Sequence, residues 1–89
     1  MELALNSLQV MPPTSRPDPD LAGVLRALRE KDGRSQEALA HDAGLTVGAM
    51  ARIERGDTNP TWTTVRRITA ALGVSLADLG RAVDSQAGR

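Results

Sequence analysis

Gln36-Glu37-Ala38-Leu39-Ala40-His41-Asp42-Ala43-Gly44-Leu45-Thr46-Val47-Gly48-Ala49-Met50-Ala51-Arg52-Ile53-Glu54-Arg55 reads as two short helices meeting at a corner with almost no loop between them. A corner that sharp needs one residue at positive φ, and Gly44 supplies it at little steric cost. It also needs a small residue where the helices touch, and Ala40 lies one turn before the corner. Leu39, Leu45, Met50 and Ile53 fall where they tie both helices onto a preceding one. In that geometry the second helix stands clear of the globule and fits a DNA major groove.

Working outward, helical punctuation begins at Asp18, which caps a helix with Pro19 at its first position, where a missing N–H costs nothing. Leu21, Val24, Leu25 and Leu28 make one apolar stripe. Gly33 ends that helix, Ser35 caps the second, and Thr46 caps the third, which Gly56 ends. Gly56-Asp57-Thr58-Asn59-Pro60 is a loop by turn chemistry. Thr61 opens a fourth helix with Trp62, Val65, Ile68 and Leu72 inward and Gly73 at its end. Ser75-Leu76-Ala77-Asp78 is a capping-box pattern opening a fifth, with Leu79 and Val83 inward. With no convincing strand after residue 20, the expectation is an all-α, compact five-helix domain over 18–83. The nine residues from Met11 to Pro19 hold four prolines, three of them within residues 1–17, which read as an extended or flexible N-terminal arm; 84–89 read as a flexible tail.

Composition narrows the function. Eighty-nine residues make one domain at most. Cysteine is absent and His41 stands alone, so no metal site and no cofactor is expected. No nucleophile–base pair or phosphate loop is visible, so an enzyme is not expected. One aromatic residue, Trp62, cannot make a stacking platform for single strands. No apolar run approaches the ~20 residues of a membrane span, and no basic n-region opens the chain. The expected location is the cytoplasm. Eleven basic and eleven acidic residues give zero net charge, which argues mildly against nucleic acid; from Arg34 to Arg67 five arginines face four acids.

Ser35-Gln36-Glu37-Ala38-Leu39-Ala40, Gly44-Leu45-Thr46, Met50-Ala51-Arg52-Ile53-Glu54-Arg55-Gly56, Asn59-Pro60 and Ala71-Leu72-Gly73-Val74-Ser75 resemble the Xre/Cro-type helix-turn-helix family, which includes the phage lambda and 434 repressors. The resemblance covers about residues 20–80 and implies a lambda-repressor-like fold and sequence-specific binding of double-stranded DNA. It implies that Gln36 holds a phosphate and that Thr46 begins the recognition helix. Val47, Gly48, Ala51 and Arg52 then face the groove, while Arg55, Thr58 and Asn59 sit by the DNA backbone. Arg29 and Glu54 match a buried pair, and Trp62 an aliphatic core position. Arg52 is able to bond guanine O6 and N7 in a bidentate way. The sequence departs from the family at Val47-Gly48-Ala49, where relatives are mostly polar; Gly48 itself contacts no base edge and weakens the helix by about 1 kcal/mol relative to alanine.

The expected protein is therefore a transcription regulator, of the repressor kind or a controller, binding a palindromic operator as a homodimer. The fifth helix around Leu76, Leu79 and Val83, or else the N-terminal arm, would make the dimer contact. The alternative is a protein-interaction module that keeps the fold with little base reading, such as an antitoxin or co-regulator with a protein partner. Arg66, Arg67 and His41 read as solvated residues, without assigned chemistry.

Overall fold

Asp18 accepts hydrogen bonds through its carboxylate from the Asp20 and Leu21 N–H groups, and a helix starts at the next residue. The computed structural model describes residues 17–88, in which five helices follow one another: α1 (Pro19–Asp32), α2 (Gln36–Ala43), α3 (Val47–Arg55), α4 (Trp62–Leu72) and α5 (Leu76–Ala87). Ser35, Thr46, Thr61 and Ser75 cap the other four, each hydroxyl accepting the N–H three residues on. Each such cap removes an unpaired donor and contributes roughly 1 kcal/mol.

The corner between α2 and α3 is made by Gly44 at φ 73° and ψ 31°. Gly44 N–H donates to His41 O at 3.2 Å and Leu45 N–H to Ala40 O at 2.8 Å, so the last carbonyls of α2 are satisfied while the chain reverses. Leu45 then turns back onto the core. No strand occurs among the described residues, and none of their helices is long and apolar enough to cross a membrane.

Leu25, Leu39, Met50 and Ile68 are the largest fully buried side chains, one each from α1, α2, α3 and α4. Burying such a side chain is worth about 1.5–3 kcal/mol, so this cluster sets the mutual placement of four helices. α2 packs on α3 and α4, and α1 packs on α3 and α5, with Leu79 fixing α5 to the common core. α3 is thus held from behind by α1 and α2, and its remaining face is uncovered.

Three expectations need correction. Trp62 is 64% exposed rather than part of the core. The buried stripe of α4 is Val65, Ile68, Thr69 and Leu72, and begins one turn after the helix does. At the first helical position, Trp62 leans toward the N-terminus, past the end of that stripe. The tail proposed for 84–89 is helical as far as Ala87, because the inward periodicity of Leu79, Ala82 and Val83 continues to the half-buried Gln86. Leu79 is buried within the fold, so it is not available to a dimer contact, whereas Leu76 remains exposed. Of the N-terminal arm, residues 1–16 lie outside the described residues.

Candidate nucleic-acid interface

α3 has two faces of opposite character. Inward, Met50, Ile53 and Glu54 are buried. Outward, Gly48, Arg52 and Arg55 follow at i, i+4 and i+7 and are all exposed, with Val47 exposed beside them and Ala51 half-buried on the flank. Thr46 is exposed at the start of the helix, its hydroxyl engaged as the cap on Ala49 N–H at 3.0 Å.

Glu54 is the one charged side chain on the inward face, and it is fully partnered. Arg29 of α1 donates through Nε to Oε2 at 2.7 Å and through Nη2 to Oε1 at 2.9 Å, a two-pronged contact with 2% of the Glu54 side chain exposed. Arg29 Nη1 also donates to the Arg34 carbonyl at 3.0 Å, tying in the α1–α2 loop. The hydrogen bond to Glu54 raises the Arg29 pKa above its ordinary value, partial desolvation opposing it, so the guanidinium stays charged. The expected buried pair is therefore present.

Gln36 enters the same network. Its Nε2 donates to Glu54 Oε1 at 2.9 Å, which sequence reasoning did not anticipate. The same Oε1 accepts from Arg29 Nη2, so it is the N–H₂ end of the amide that points inward. One Gln36 N–H is committed to Glu54, and the other, with the carbonyl, is left on the half-buried side chain at the first turn of α2. An acceptor such as a phosphate oxygen would find there a donor of fixed direction and the positive end of the α2 dipole.

The loop residues are similarly engaged. Asn59 Oδ1 accepts the Asp18 N–H at 2.6 Å, pinning the α3–α4 loop to the start of α1 and leaving the Asn59 amide N–H₂ outside that bond. Thr58 is exposed beside it. Arg55 Nε donates to Asp57 Oδ2 at 2.8 Å, so its charge is partly answered within the protein. The Arg55-x-Asp57 spacing across a helix end was a visible hint of that pair. Leu45, Ala49, Arg52 and Ile53 line a shallow hollow together with Thr58 to Thr61 and Thr64, which places the loop and the first turn of α4 beside α3.

Charge is distributed unevenly. Arg26, Arg29, Arg34, Arg55 and Arg81 each contact a carboxylate. Arg34 is held by Asp32 and Asp42, whose hydrogen bonds raise its pKa. Arg52 contacts none among the described residues, and it stands on the uncovered face of α3. Also among the described residues, no group of His, Asp or Glu is arranged to hold a metal ion.

Residues 20–82 match the model of a family described as a helix-turn-helix domain. The fold is similar to that of a crystallised point mutant of the restriction-modification controller protein C.Esp1396I, with a TM-score of 0.78 and 24% identity over 80% of this chain and 95% of that one. Among curated proteins none matches the chain.

Proposed function

Because this chain belongs to the helix-turn-helix domain family, we propose that it is a sequence-specific, non-catalytic, double-stranded DNA-binding regulator of transcription that inserts α3 into the major groove. The observation that carries the reading is the outward face of α3, uncovered by any helix and bearing Arg52 without a carboxylate partner among the described residues. Thr46, Val47, Gly48, Ala51 and Arg52 face the groove, Arg52 reading a guanine. Gln36, Arg55, Thr58 and Asn59 hold the sugar–phosphate backbone. The resemblance in fold to a restriction-modification controller protein agrees with a regulatory role.

One recognition helix reads too few bases to stand out against a genome of competing sites. A homodimer on a palindromic operator doubles the contacts, and an intracellular regulator of this kind works in the cytoplasm. With Leu79 spent on the core, the exposed Leu76 at the start of α5 is the large apolar side chain that helix offers to an isologous contact.

Selection of bound sites from random duplexes, followed by a salt titration on the winner, tests the proposal. The selected site should be a palindrome, and log K should fall linearly with log salt at about 0.9 per phosphate neutralised. Failure to enrich any duplex, with no salt-dependent binding, would reject DNA binding and favour a protein partner.

A further inference from the structure

Gly48 is the least promising residue on the uncovered face of α3. It offers no side chain, and glycine disfavours a helix more than any residue except proline. Its surroundings give it a use. A Cβ added at Gly48 would meet Arg52 Nη1 at 3.6 Å and nothing else within 4 Å outside the helix backbone. The Arg52 side chain therefore runs back one turn toward the start of α3, bringing its Nη1 beside Gly48. That direction is natural, because helical side chains tilt toward the N-terminus. Chain neighbours and local helix backbone aside, no other atom comes within 4 Å of that point.

We infer that Gly48 is a specificity-determining gap that lets Arg52 serve both outward positions of the recognition helix. The inference rests on the DNA-binding reading above and deepens it. Recognition helices meet base edges mainly through their first turns. A long side chain at position 48 would fill that space and turn the guanidinium aside toward the phosphates, where it would bind without reading sequence. With glycine there, the five N–H donors of Arg52 are delivered to the depth of the first turn. No carboxylate among the described residues competes for them.

The test measures affinity for the selected duplex and for its single-base variants with the wild type, Arg52→Ala, Gly48→Leu, Gly48→Ala and the double variant Gly48→Leu/Arg52→Ala. Wild type should prefer one base pair per half-site, a G·C, by about 5- to 150-fold. Arg52→Ala should abolish that preference. Gly48→Leu should abolish it too, with Arg52 intact and with Tm raised by roughly 4 °C or more, since leucine favours helix. Gly48→Ala should keep the preference, its Cβ meeting the guanidinium only at ordinary contact distance. In the Arg52→Ala background, adding Gly48→Leu should leave the preference ratio where it was. That separates displacement of Arg52 from a general clash with DNA, which would weaken all duplexes alike. A Gly48→Leu protein that keeps the full Arg52-dependent preference overturns the gap and leaves Arg52 as reader. A preference that survives Arg52→Ala overturns both assignments while DNA binding stands, and a wild type that binds no duplex overturns the parent reading.

Discussion

The two faces of α3 follow opposite rules. On the inward face Glu54 accepts three hydrogen bonds from two neighbouring helices, and Met50 and Ile53 are sealed in the core. On the outward face Gly48 has no side chain, Val47 is exposed, and Arg52 touches no carboxylate among the described residues. The first face spends its chemistry on placing the helix. The second leaves its chemistry unspent, which is what a surface reserved for another molecule requires. Substitutions behind the helix should therefore cost stability, and those in front recognition.

Glu54→Ala is the harshest way to break that comparison. It strips Arg29 of its partner in a site where 13% of the Arg29 side chain is exposed, and orphans the Gln36 amide. Removing one member of a buried pair costs about 3–5 kcal/mol, a large share of what a small domain has. Urea unfolding should show a loss of unfolding free energy of that size. A loss under about 1 kcal/mol would mean the network is ornamental, and the locked face not locked.

Gln36→Ala sharpens the comparison, because Gln36 stands on the border between the two faces. It should lose about 1 kcal/mol of stability through the missing bond to Glu54. On DNA it should weaken every duplex variant by a similar factor, since a phosphate contact positions without reading sequence. Unfolding and binding measured on one preparation decide it. Loss of stability alone would make Gln36 purely a strut, and loss confined to one base substitution would make it a reader.

Trp62→Ala should do little. The indole projects from the first turn of α4, so the loss of stability should stay within about 0.5 kcal/mol, well below the ~3–5 of a buried tryptophan. Native emission near that of free indole and ready quenching by iodide would agree. A blue-shifted, protected emission would return Trp62 to the core.

That residue marks the limit of what the sequence made legible. Every boundary with a chemical signature was readable: Asp18, Ser35, Thr46, Thr61 and Ser75 cap as their side chains dictate, and Gly44 makes the corner. So was the Arg29–Glu54 pair, through family resemblance. Periodicity misplaced Trp62 because it assigns a direction around a helix axis and says nothing of where along the axis the core stops. It missed the Gln36–Glu54 and Asn59–Asp18 bonds because partners 18 and 41 residues apart leave no local pattern. The position of the Arg52 guanidinium beside Gly48 was likewise out of reach, since composition records that glycine has no side chain but not what uses the space.

The smallest effect concerns acid. Asp78 stands at the third position of α5, where its hydrogen bond with Arg81, and then that with Ser75, lowers its pKa below the ordinary 3.8. Asp32 is lowered in the same direction by its hydrogen bond to Arg34. A carboxylate whose folded pKa lies below its unfolded one adds stability above the unfolded value and loses it as pH falls through the folded value. Both groups lie at the surface, so solvent screens them and the contribution is small. Thermal melts should be flat from neutrality to about pH 5 and decline below it. Asp78→Asn should start slightly less stable at pH 7, having lost a charge favourable to the start of α5, and should then decline less on acidification. If the variant and the wild type fall in parallel from pH 7 to about pH 3, Asp78 contributes nothing that acid can remove, and the acid loss belongs to other carboxylates.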